Sequence, residues 1–209
     1  MTSSYPTTNA TQELPAINQI LSSVGQAPVT TLDQTNPDVA IAYDTLLQVS
    51  KEVQAEGWTF NQEFEYEIVT NSNRQYEIPN NILQIDFSES YKGNIDPIRR
   101  DGKIYDRYNH TYEIGDTAGD EFKVDVVWFF DWIDLPAPVQ NYIVAKAATI
   151  AAQRIIGDPQ LIQTLQQREA LARANALEYE CNQGDFTIFG HPEGNRHYTS
   201  YKPYTALQR

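Results

Sequence analysis

Apolar positions change their spacing twice along the chain, and the changes divide it into helix, strand and helix again. In TQELPAINQILSSVGQAP (residues 11–28), Ile17, Ile20, Leu21 and Val24 fall at i, i+3, i+4 and i+7, one stripe on a helix, and Gly25 and Pro28 end it. In TNPDVAIAYDTLLQVSKEVQAEG (residues 35–57), Asn36 is a cap and Pro37 the first helical residue. Asp38 places a negative charge at the positive end of the helix dipole. Val39, Tyr43, Leu46, Leu47, Val49 and Val53 supply the apolar side, and Gly57 the exit. The first ten residues, rich in Thr, Ser and Asn, read as a lead-in.

After Gly57 the spacing drops to two. Phe64, Tyr66 and Ile68 alternate with Glu63, Glu65 and Glu67, which predicts a strand with one buried and one solvated face. Charges on a wet strand face also deter sheet-to-sheet aggregation, and that is the reading adopted for the glutamates. RQYEIP, NNILQIDFS, IRRDGKIYDR, HTYEI and EFKVDVVWFF continue the pattern, and Asp101-Gly102 is a two-residue hairpin turn. Together they predict an antiparallel meander of roughly five or six strands. Trp128, Phe129 and Phe130 are consecutive and so point to opposite faces, as in a strand covered on both sides.

The helical period returns at LPAPVQNYIVAKAATIAAQRIIG (residues 135–157), whose two prolines fit only a first turn. Its alanines Ala145, Ala147, Ala148, Ala151 and Ala152 form a surface that another helix can approach closely. Asp158 caps a last helix of about twenty-three residues, roughly 35 Å long, more than a small sheet needs as cover. Gly184 to Arg209 is rich in Gly, Tyr and Pro without a sustained period, which predicts an arm that orders against something else. The expected class is α+β. N- and C-terminal helices (residues 11–57 and 135–183) form a bundle, with an antiparallel β-sheet domain (58–134) inserted and an extended C-terminal arm (184–209).

Charge narrows the function. The net charge of -13 and a pI near 4.5 disfavour a dedicated nucleic-acid grip, which needs clustered Lys and Arg. Only residues 182–209, with two acids and three bases, are net positive. The single cysteine, Cys181, excludes an internal disulfide framework and an all-cysteine metal site. No apolar run is long enough to cross a bilayer, and the first residues lack the basic start and apolar core of an export signal.

Candidate chemistry is sparse. The chain has no G-x-S-x-G elbow, P-loop or G-x-G-x-x-G motif. His110, His191 and His197 lack the spacing of zinc ligands, and DTAGDE (residues 116–121) reads as a turn, not a calcium loop. Asp131 and Asp134 beside Trp128 and Trp132 are the one enzyme candidate, a polysaccharide hydrolase. That chemistry needs a second carboxylate across the sugar, and Asp125 or Asp86 is available without being specified. Core packing is the competing reading of the same aromatics. Arg99, Arg100, Lys103 and Arg107, interleaved with Tyr105 and Tyr108, form a local basic hairpin, a candidate interface for protein or, alternatively, for a DNA end. Tyr198, Tyr201 and Tyr204 of the arm are further interface candidates. No catalytic residue, metal site or cofactor is assigned.

Five stretches, ELPAINQILSSVGQAPVTTLD, GWTFN, GKIYDR, LPAPVQNYIVAKAA and GDPQ…EALARANALEYE, occur in order over residues 13 to about 181. In them the chain resembles the tail tubular protein A family of short-tailed phages. The resemblance implies a structural adaptor, or gatekeeper, of the virion tail, without catalytic residues. It also implies a dodecameric ring between the portal protein and the tail nozzle protein (tail tubular protein B), with tail fibres attached nearby. Double-stranded DNA would pass through the lumen, no membrane would be involved, and assembly would occur in the host cytoplasm. The Tyr-rich stretch after Gly184 departs from the family pattern.

Overall fold

The stripe Ile17, Ile20, Leu21 and Val24 is buried along one side of α1 (Ala10–Ser23) in the computed structural model, which describes residues 10–32, 36–87, 95–115 and 119–184. The predicted lead-in and the arm beyond Gly184, with Tyr198, Tyr201 and Tyr204, lie outside the described residues, as does part of the DTAGDE turn. Gly25 closes α1 at φ +75°, where a side chain would be strained. There the Gln26 N–H donates to the Leu21 carbonyl at 2.9 Å and the Gly25 N–H to the Ser22 carbonyl at 3.2 Å, a Schellman closure.

Asn36 caps α2 (Pro37–Gln54) as the sequence predicts, its Oδ1 accepting from the Asp38 N–H at 3.0 Å. In α3 (Ala137–Ile155), Val139, Ile143, Ala147 and Ala151 recur every four residues and are fully buried. The small side chains let α3 lie at the centre of the bundle, in contact with α1, α2 and α4 (Pro159–Gly184). At 26 residues α4 is about 39 Å long, yet only Leu165, Ala176 and Gly184 are buried along it. Leu171 and Leu177 are 64% and 44% exposed.

The β insert departs from a single meander. β1 (Gln62–Val69), β2 (Ile82–Phe87) and β5 (Glu121–Trp128) form an antiparallel sheet in the order β1-β5-β2, so the last strand is central. β5 takes that place because Phe122, Val124, Val126 and Val127 are all buried, whereas β1 and β2 alternate with charged or amide residues that suit an edge. β3 (Pro97–Arg100) and β4 (Lys103–Asp106) form a separate hairpin across Asp101 and Gly102, both at positive φ (51° and 70°), as a type I′ turn requires. RQYEIP and HTYEI contribute only isolated bridges, Thr70 to Tyr76, Glu77 to Lys103 and Asp106 to Thr111.

A bulge corrects the predicted faces of β1. From Glu63 to Tyr66 β1 advances three residues while β5 advances two, from Val126 to Val124, and Glu65 sits at φ +53°. Tyr66 and Ile68 therefore keep the core face, but Phe64, expected inside with them, is moved to the opposite face and is 48% exposed. Glu63 crosses the other way and accepts a 2.9 Å hydrogen bond from the Trp128 indole Nε1. Glu65 and Glu67 remain outside, both within 3.6 Å of the Lys123 ammonium.

Two hydrophobic cores result, one among the helices and one between the sheet and the β3–β4 hairpin, where Tyr76, Ile104, Phe122 and Val124 are wholly buried. The aromatic run after β5 is shared between them. Trp128 stands edge-on to Tyr66 over the sheet core, while Phe130 and Trp132 pack on the helical core.

Candidate interface surfaces

GWTFN forms the joint between the two cores. Trp58 is buried beside Tyr142 of α3 and its indole donates to the Val53 carbonyl at 2.7 Å. Asn61, 1% exposed, accepts from the Trp58 N–H (2.8 Å) and donates to the carbonyls of Gln54 and Trp128 (both 2.9 Å). Gln54, fully buried, donates to the Phe130 carbonyl and accepts from the Phe130 N–H. These two amides satisfy backbone groups that would otherwise be buried unpaired where α2 meets β1 and the end of β5. The sequence reading missed both. Their signal is an uncharged polar residue at a core position, Gln54 immediately following Val53 and four residues after Ser50 on the buried side of α2.

The enzyme candidates do not gather at one site: Asp125 and Asp86 line a groove that Asp131 and Asp134 do not reach. Asp131 lies close enough to buried Glu13 for their charges to interact, whereas Asp134 is exposed at the end of the short 3-10 turn Trp132–Asp134. Asp125 instead accepts from the Glu65 N–H at 2.8 Å, holding the bulge, and stands opposite Asp86 across the β5–β2 ladder. Glu13 is 6% exposed, and burial raises its pKa. The nearby Asp131 charge acts in the same direction, opposed by a hydrogen bond with Tyr43, and Glu13 Oε2 is buried with no hydrogen-bond partner. No group of three or more His, Cys, Asp or Glu suited to a metal occurs among the described residues.

Arg99, Arg100 and Lys103 lie in the β3–β4 hairpin and Arg107 follows it directly, and most of these cations are engaged within the subunit. Arg99 donates to the Ile82 carbonyl at 2.8 Å, Lys103 to Gln75 Oε1 at 2.7 Å, and Arg107 pairs with Asp96 at 2.7 Å. The Arg100 guanidinium lies 4.3 Å over the Tyr105 ring, which meets Tyr112 edge-on, and Tyr108 is 70% exposed. Behind them Asp106, fully buried, accepts from the N–H groups of Asp96 (2.9 Å) and Tyr108 (2.8 Å) and from Asn109 Nδ2 (2.6 Å). Burial alone would raise this carboxyl's pKa, but the donors together outweigh it and hold it below the usual range.

Two broader surfaces remain. One is the outward side of α4, where Ala170, Leu171, Ala174, Leu177 and Cys181 are all exposed. The other is the face of the three-stranded sheet turned away from its core. A shallow groove of about 230 Å³ there is lined by Gln62, Phe64, Gln84, Asp86, Asp125 and Val127, among others.

A family model described as tail tubular protein matches residues 14–186, from the first turns of α1 to the end of α4. The chain belongs to the tail tubular protein family. No curated protein sequence matches it. As a tail tubular protein it is a structural component of the phage virion tail, where it assembles with other tail proteins. The match covers both cores and the joint between them. It ends close to Gly184, leaving residues 187–209, and with them Tyr198, Tyr201 and Tyr204, outside. No helix among the described residues of this tail tubular protein is long and apolar enough to cross a membrane.

Proposed function

We propose that this tail tubular protein is a non-enzymatic adaptor that closes into a dodecameric ring between the portal protein and the tail nozzle protein, with tail fibres attached nearby. The observation that carries the reading is α4, a helix with a long outward side and two leucines exposed beyond what its own bundle covers. A ring subunit needs such surplus contact area on its flanks. In this reading the helical base, residues 11–57 and 135–183, supplies the ring contacts. The β insert, residues 58–134, presents its basic hairpin with Arg99, Arg100, Lys103 and Arg107 to a neighbouring tail protein. The arm, residues 184–209, adds Tyr198, Tyr201 and Tyr204.

The net charge of -13 suits a lumen through which double-stranded DNA moves without being gripped, because each phosphate contact would slow its passage. Assembly takes place in the host cytoplasm, and the finished ring resides in the virion. Electron micrographs of the chain mixed with purified portal test the proposal. A closed ring added to one end of the portal is expected; portal particles that remain bare contradict it.

A further inference from the structure

We infer that the outward face of the three-stranded sheet is the seat of the chain's own segment Gly194–Arg209. Three observations converge on it. The first is charge. Among the described residues that face presents Glu65, Glu67, Asp86, Asp125 and Glu121 against one cation, Lys123, and Asp86 stands directly opposite Asp125. Like charges paired across a ladder are unfavourable until a cation joins them. Residues 194–209 carry Arg196, Lys202 and Arg209 and no acid, in a chain of net charge -13.

The second observation is pattern. Arg196, Tyr198, Ser200, Lys202 and Tyr204 share one parity, so an extended segment places two cations and two phenol rings on one side. Pro203 fits an extended segment lying on a face, which has no ladder to supply with an N–H. The groove offers the matching surface, with Phe64 and Val127 for rings beside the Asp86 and Asp125 carboxylates for cations.

The third observation is where the helical chain ends. The last turns of α4 are tied to the start of the sheet, since Glu180 Oε1 accepts from the Thr59 N–H at 2.7 Å and from the Thr59 hydroxyl. Thr59 lies three residues before Gln62, which lines the groove, and Gly184 is buried at the helix end. The chain thus leaves α4 about one helical turn beyond its contact with Thr59. The twelve residues from Asp185 to Arg196 span up to about 40 Å when extended, more than the whole β1 strand at about 27 Å. The seat is therefore within reach of the arm of the same subunit before that subunit enters a ring.

Zero-length carbodiimide crosslinking of the dilute full-length chain, read by mass spectrometry, tests the inference directly. Crosslinks from Lys202 to Asp86, Asp125 or Glu65 in material of monomer mass are the expected result. Their absence, or their confinement to material of dimer mass or above, overturns the seat within one subunit. A second measurement is the rate of tryptic cleavage after Arg196. It is expected to rise about tenfold in a Phe64→Ser, Asp86→Lys variant, because cleavage follows the population of the undocked segment, while cleavage after exposed Arg168 stays unchanged. Equal rates after Arg196 in parent and variant overturn the inference. Portal binding plays no part in either readout, so a failed adaptor reading and a failed seat give different results.

Discussion

Gln54 and Phe130 exchange a reciprocal pair of hydrogen bonds across 76 residues of sequence, Gln54 Nε2 donating to the Phe130 carbonyl at 3.1 Å and the Phe130 N–H donating to Gln54 Oε1 at 2.8 Å. The pair fastens the end of α2 to the chain leaving β5, and so the helical core to the sheet core. Replacing Gln54 by Ala strands both backbone groups in a buried setting and leaves a void. A loss of about 2–4 kcal/mol is expected, read as a lower urea midpoint with an unchanged slope. A loss of stability below about 0.5 kcal/mol would show that the amide is not what joins the two cores.

Asp106 makes the β3–β4 hairpin pH-dependent. Its folded pKa is depressed, so its stabilisation is complete above the ordinary aspartate value of about 3.9 and is lost as pH falls through the folded value. Asp106→Asn removes the charge and sets an amide N–H against the Asn109 Nδ2 donor. The Tm difference between parent and variant is expected to be large and constant above about pH 5 and to shrink below about pH 4. A difference independent of pH from 2 to 7 would contradict the assigned charge.

Glu13 behaves in the opposite sense. Burial raises its folded pKa, so the stability it allows is complete below the ordinary glutamate value of about 4.3 and is lost as pH rises through the raised folded value. Glu13→Gln keeps an acceptor for Tyr43, removes a buried charge near Asp131, and puts a donor where Oε2 has no partner. The variant is expected to melt higher than the parent at pH 7, with the gap closing toward pH 4. A variant that melts lower at pH 7 would sink this reading.

Much of the fold is legible in the sequence because periodicity reports burial locally. The stripe from Ile17 to Val24, the Asn36 cap, the Asp101-Gly102 turn and the alanine face of α3 each follow from residues within one or two turns of each other. Strand order is not local in this way, and β5 is central because of what β1 and β2 lack. The exposure of Phe64 was equally hidden, since it depends on a bulge held by Asp125 from another strand. Asp131 and Asp134 are neighbours in sequence but diverge in the fold, one toward Glu13 and one toward solvent. The joint residues Gln54 and Asn61 escaped notice because a buried amide earns its place only through backbone partners distant in sequence.

The exposed side of α4 is where the adaptor account is most open to refutation. Leu171 and Leu177 contribute little to the subunit's own core, so Leu171→Glu together with Leu177→Glu is expected to change the unfolding free energy, read by urea titration, by less than about 0.5 kcal/mol. The decisive measurement is the light-scattering mass of portal mixed with parent or with this double variant. The parent is expected to add a ring's worth of subunits to each portal, and the variant to elute at its own mass with the portal unchanged. A variant that joins the portal as fully as the parent, or a parent that never joins it, would contradict the account.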